Sequence, residues 1–273
     1  VKKLLISICL LGLIFPAFAQ KGWEAGAWLG TSYYFGDLNT NYRLDRPNLA
    51  GGLIARYNFN NRIALKFSGN YGKVEAYDAD SDNAFERARN LSFQSEVFDG
   101  TAQLEFNFLP YTHRSRDEFF TPYAFAGFSV FGFNPQAEFE GELVELRPLG
   151  TEGQFQGEEY YTVQGAFAYG VGLKLDINFE WSINVEFSGR ALFTDYLDDV
   201  STVYPDRNDL RRQRGDLAAE LSDRSISIPG VEDSQLGRAG TQRGNSTNND
   251  HLVFLQVGIL YYFGDLRCPE YGK

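Results

Sequence analysis

Few residues in this chain have the types and spacing that chemistry requires. There are two histidines, and His251 directly follows Asp250, the pairing from which a hydrolase-type relay starts. Neighbours on a strand point to opposite faces, so a direct Asp250–His251 dyad is disfavoured. His113 stands in the polar run His-Arg-Ser-Arg-Asp, which reads as a turn. Asp198-Asp199 and Asp78-Ala-Asp80-Ser-Asp82 carry clustered carboxylates that suit a hard cation. The second run lacks the glycine and distal glutamate of a calcium loop, and both read better as solvated acidic loops. Cys268 and the two isolated histidines have no metal-ligand spacing. These residues predict no catalytic, cofactor or metal site, and the chain reads as a non-enzyme.

A second set of charges falls in a regular pattern. Over residues 97–109, Phe98, Ala102, Leu104, Phe106 and Phe108 alternate with Asp99, Thr101, Gln103, Glu105 and Asn107, the period of a strand whose two faces meet different surroundings. The same reading gives strands over 24–35, 51–59, 62–71, 123–133, 163–175, 181–193 and 252–263. The last of these sets Val253, Leu255, Val257, Ile259, Tyr261 and Phe263 against Gln256, Gly258 and Tyr262. Asn60-Asn61 marks a tight hairpin between the second and third strands. The facing of the fifth strand stays open, because it is small and aromatic throughout.

Each strand is about the 9–11 residues that a tilted strand needs to cross a bilayer. The predicted fold is an all-β, eight-stranded antiparallel transmembrane barrel with bulky residues towards lipid. Glu24, Asp99, Glu105 and Glu186 then point inward with Arg56, Lys66, Lys174 and Arg190, four acids against four bases, and form an ionic plug. Long links follow the odd-numbered strands, the longest between Asp195 and Asp250. That spacing predicts long external loops, both termini in the periplasm, and a mobile outer flap over 195–250. A soluble sandwich or lipocalin-like barrel has the same alternation and is the alternative architecture.

Residues 1–19 read as a cleaved signal peptide: Lys2 and Lys3, an apolar core, and Ala17-Phe18-Ala19 as the cleavage site. Its loss takes the net charge from −11 to −13, and a chain this acidic has no basic stripe for nucleic acid. Mean hydropathy is −0.32 although 16% of residues are aromatic, a balance that suits interfacial girdles better than helical spans. Processing leaves Cys268 as the one thiol, either paired with another chain or buried and inert. The barrel spans 20–263, and residues 264–273 form a short periplasmic tail that offers Arg267, Cys268, Pro269 and Tyr271 to a docking partner. Tyr-Tyr-Phe-Gly-Asp-Leu occurs twice, at 33–38 and 261–266, as aromatic strand ends that leave through a Gly-Asp turn.

Four strings carry a more specific likeness. They are Trp28-Leu-Gly-Thr-Ser-Tyr-Tyr-Phe-Gly-Asp-Leu-Asn39; Phe133-Asn-Pro-Gln-Ala137 with Leu146-Arg-Pro-Leu-Gly-Thr-Glu-Gly-Gln154; Thr194-Asp-Tyr-Leu-Asp-Asp-Val-Ser201; and Phe263-Gly-Asp-Leu-Arg-Cys-Pro269. Across the mature chain these resemble the PorG-type outer-membrane barrels of the type IX secretion system. The resemblance implies a non-enzymatic component of protein secretion and protein transport, and of gliding motility in gliding relatives. It implies a partner, a periplasmic ring of a lipoprotein and a second subunit, contacted through the tail around Cys268, with a disulfide or close packing there. An OmpA-like or adhesin barrel that binds ligands through its external loops is the alternative function.

Overall fold

The computed structural model describes residues 21–227 and 236–264. The expected signal peptide, and the tail residues Arg267, Cys268, Pro269 and Tyr271, lie outside the described residues. Eight long strands form the wall: β1 (Gly22–Phe35), β2 (Asn48–Asn58), β3 (Ile63–Tyr77), β4 (Ser92–Asn107), β5 (Phe120–Phe139), β7 (Val163–Asp176), β8 (Trp181–Leu192) and β9 (His251–Tyr262). Each pairs antiparallel with its sequence neighbour, β5 pairs with β7, and β1 pairs with β9. The sheet therefore closes on itself as a barrel, and closure removes the unpaired edges that an open sheet would present. A four-residue strand, β6 (Glu142–Glu145), extends β5 beyond the wall as a hairpin.

Alternation sets the two surfaces. Along β4, Phe98, Leu104 and Phe106 are exposed while Asp99, Gln103, Glu105 and Asn107 are buried. On β9, Leu255, Val257 and Ile259 face outward and Phe254, Gln256 and Leu260 face inward. Near the long-loop rim, Val253 and Phe35 are buried, although alternation alone puts them on the exposed outer face. Tyr42, from the β1–β2 loop, packs on Phe35 with ring centroids 5.3 Å apart. The open orientation of β5 resolves with Tyr123, Phe125, Phe131 and Phe133 inward and Phe128 and Val130 outward.

The barrel has a short-turn end and a long-loop end. At the first, Asn60 closes the β2–β3 hairpin by accepting the Arg62 and Ile63 amide hydrogens, each at 2.8 Å. At the second, the loops fold into a cap. It contains α1 (Ala84–Arg89), α2 (Arg207–Arg214) and α3 (Asp216–Ser222). Asn83 caps α1 and Asp206 caps α2 by accepting first-turn amide hydrogens. The described part of the 195–250 connection is thus no mobile flap. Leu197, Val200 and Leu221 are buried in one apolar cluster with Leu38, Phe93 and Phe254, and each such leucine contributes about 1.5–3 kcal/mol.

Candidate functional site

All eight charged residues assigned to the lumen are buried inside the barrel, where they divide into two clusters. In the larger one, Arg56 reaches Glu24 at 2.9 Å and Glu105 at 2.8 Å. Lys174 Nζ meets Glu105 Oε2 at 2.7 Å, and Lys66 pairs with Glu186 and lies 3.7 Å from Glu105. The Tyr123 hydroxyl donates to Glu186 at 2.6 Å, and Asn58 donates to Glu24 at 2.5 Å. In the smaller one, Arg190 grips both oxygens of Asp99 at 3.2 Å. Thr101 and Asn70 also donate to Asp99, and Asn70 in turn accepts the Trp28 indole N–H at 3.0 Å. Glycine is needed at position 52, where a Cβ would meet that indole.

The register explains why these groups meet. Glu24 pairs with Arg56 across β1–β2, Arg56 with Lys66 across β2–β3, and Asn70 with Asp99 across β3–β4, so each partner projects from an adjacent strand on the same face. Paired in this way, the charges avoid the penalty of several kcal/mol per isolated buried ion. In a bilayer sidedness is equally demanding, since there an Arg or Lys turned to lipid near the midplane costs about 2–4 kcal/mol.

Each end of the lumen is sealed. At the short-turn end His113 lies buried between Glu24 Oε1 at 3.1 Å and Asp176 Oδ1 at 2.9 Å, with its ring stacked on Tyr262 at 4.3 Å. Burial pushes the imidazole pKa down, but the hydrogen bonds to Asp176 and Glu24 outweigh it and raise the value to about 9. Reading the sequence as a turn missed this role, because the two partners lie 89 and 63 residues away.

The seal at the long-loop end is the cap, and it corrects the reading of solvated acidic loops at Asp78, Asp198 and Asp199, while Asp82 is exposed as expected. Asp78, Asp198 and Asp199 are buried. Asp78 accepts from Arg89 Nε and Nη2, each at 2.8 Å, while Asp80 is bound by Arg46 at 2.6 Å. Asp199 accepts hydrogen bonds from Thr151 at 2.5 Å and Tyr160 at 2.7 Å, and burial raises its pKa to about 6. Arg243 ties the cap together by donating to Glu152 at 3.1 Å, the Asp199 carbonyl at 2.6 Å and the Ser222 carbonyl at 3.2 Å.

Several of the strings with a specific likeness converge here. Glu152 accepts the Ser201 and Thr202 amide hydrogens at 2.8 and 3.0 Å, and the Leu146 amide donates to the Pro135 carbonyl at 2.9 Å. Tyr34 of the first Tyr-Tyr-Phe copy points into the cap, and Tyr262 of the second stacks over His113, so the central tyrosine of each copy serves one seal.

Asp250 and His251 form no dyad. The Asp250 carboxylate meets Tyr34 and the Leu197 amide, whereas His251 Nδ1 lies against the Asn249 carbonyl at 3.1 Å. Among the described residues no three His, Cys, Asp or Glu side chains are grouped to hold a metal.

Solved structures with a similar course are outer-membrane proteins. OprG from Pseudomonas aeruginosa is 12% identical with a TM-score of 0.46, over 91% of this chain and 99% of that one. Neisserial surface protein A is 10% identical with a TM-score of 0.43, over 89% and 97%. Ail of Yersinia pestis, in complex with the heparin analogue sucrose octasulfate, is 12% identical with a TM-score of 0.41, over 89% and 99%. Likeness at this level bears on neither activity nor partners. No curated protein matches the chain. The family profile described as a domain of unknown function, DUF6089, matches residues 2–220, which takes in strands β1 to β8 and helix α2 and ends within α3, and the chain belongs to that family.

Proposed function

We propose that this chain is a non-enzymatic outer-membrane barrel that anchors a periplasmic assembly of the type IX protein secretion machinery. The observation that carries the membrane part is the wall itself. Leu29, Leu53, Phe98, Phe128, Val130 and Val257 are more than half exposed on its outer face, and a belt of this kind is stable in contact with lipid. Aromatic pairs such as Trp23–Tyr57, Phe106–Phe108 and Trp181–Tyr261 ring the short-turn end, as an interfacial girdle does.

Two closed ends and an ion-paired lumen suit an anchor better than a channel. The secretion role rests on the strings that resemble PorG-type barrels, supported by the convergence of several of them in one cap. In this reading the cap faces outside, and both termini face the periplasm. The tail, through Arg267, Cys268, Pro269 and Tyr271, contacts the ring lipoprotein and its partner subunit, with Cys268 in a disulfide or closely packed. Affinity purification of the barrel with and without residues 264–273 tests this: loss of the ring subunits with the tail, while the barrel stays in the outer membrane, is expected. Equal recovery from both forms contradicts the tethering role. Non-reducing electrophoresis of envelopes, comparing wild type with Cys268→Ser, tests the covalent form, which fails if wild type gives no heavier adduct.

A further inference from the structure

Where the cap meets the barrel rim, one phenol lies between two buried carboxyls. Tyr34 Oη is 2.5 Å from Asp198 Oδ2 and 3.1 Å from Asp250 Oδ1. Two oxygen–oxygen contacts of hydrogen-bond length need two hydrogens, and a phenol supplies one. The outer oxygens are already committed as acceptors, Asp250 Oδ2 to the Leu197 amide and Asp198 Oδ1 to the Val200 amide, each at 2.9 Å. The Leu38 amide approaches the phenol at 3.5 Å and adds no hydrogen between the oxygens. We propose that Asp250, Tyr34 and Asp198 share one proton beyond the phenol's own, and that this proton latches the long-loop cap to the barrel.

The surroundings offer no substitute for it. From the β1–β2 loop comes Asp37, whose carboxylate accepts the Asn245 amide hydrogen at 2.7 Å. The 194–201 segment brings Asp195, an acidic neighbour of Asp250, and the 147–152 turn brings Glu152, which acts on Asp195. The nearby cations are engaged elsewhere: Arg89 from α1 with Asp78 and the Asp37 carbonyl, and Arg243 with Glu152 and Asp199. Neither Asp198 nor Asp250 has an ion pair among the described residues, and His251 is turned towards the Asn249 carbonyl. Burial first, and then the neighbouring acids, raise both carboxyls well above the ordinary range.

The three residues join separate parts of the molecule: Tyr34 is on the wall in β1, Asp250 stands at the foot of β9, and Asp198 lies in the cap between the buried Leu197 and Val200. Removing the shared proton leaves two carboxylates competing for one phenol hydrogen in a buried site, a cost that displacement of the 194–200 segment relieves.

Hydrogen-exchange protection factors, measured with the full barrel in detergent micelles at a series of pH values, read the latch at the Leu197 and Val200 amides. In wild type, protection falls by about tenfold per pH unit once the proton is released, while the β4 and β9 amides stay protected. Asp250→Asn carries its hydrogen at every pH, since the amide donates to the phenol oxygen and its carbonyl still accepts from Leu197, and it keeps the cap protected through that range. Asp198→Asn does the same from the other side, and serves if the first variant fails to fold. A carboxylic-acid C=O band in the infrared spectrum of wild type, removed by either substitution, places the proton. Identical pH profiles for wild type and an amide variant, or the lack of such a band, would overturn the proposal.

Discussion

His113 shows how one side chain can close a barrel end. Its folded pKa, about 9, lies above the ordinary 6.5. The imidazolium therefore contributes stability that is fully present below about pH 6.5 and is lost as pH rises through 9. The span corresponds to about 3 kcal/mol. Unfolding of wild type from vesicles should weaken across that window, and His113→Asn should remove the slope. A slope that survives in the variant would assign it to another group. Arg190 and Asp99 give a second test at this scale. Arg190→Met strands a buried carboxylate and should destabilise by about 3–5 kcal/mol, whereas Arg190→Met with Asp99→Leu should recover most of that loss. Equal destabilisation in the single and double variants would mean that the pair contributes through packing alone. Residues of this kind are only half legible in a sequence. Their inward placement follows from period-two alternation, but His113 was hidden because its partners come from β1 and the end of β7.

Among the elements, strands were legible and loops were not, for a physical reason. A wall strand has an exposed apolar face and a buried polar lumen face, and this contrast prints alternation on β4, β7, β8 and β9. In β5 both faces are apolar, with Phe125, Phe131 and Phe133 inside and Phe128 and Val130 outside, so its facing could not be read. The cap has no period at all. Its order comes from long-range pairs, such as Arg89 donating to the Arg243 carbonyl at 2.6 Å across 154 residues, and from Glu152 and Asp199 meeting Arg243. Asp198-Asp199 looked solvated because nothing local reveals such partners. Arg243→Ala should accordingly unfasten the cap and leave the wall intact. Limited proteolysis should cut between residues 195 and 250 in the variant while the protected core still migrates as a folded barrel on unheated gels. Loss of the folded core would instead make the cap part of the wall's own stability.

At the scale of the whole molecule, the lumen and the belt make separate demands. With Arg56, Lys66 and Lys174 paired to Glu24, Glu105 and Glu186 and both ends covered, no continuous water path is expected. Reconstituted in planar bilayers, the barrel should show no stable unitary conductance, and steady channel steps would contradict the plug. The belt carries the larger claim, that one face of every wall strand meets hydrocarbon. Spin labels placed singly along β9 in a Cys268→Ser background, from Leu252 to Tyr262, test it most directly in lipid vesicles. Leu255, Val257 and Ile259 should be accessible to oxygen dissolved in the bilayer and shielded from a water-soluble quencher, while Phe254, Gln256 and Leu260 should be inaccessible to both. Access of the water-soluble quencher to Leu255, Val257 and Ile259, with no period-two contrast along the strand, would contradict a membrane-spanning barrel.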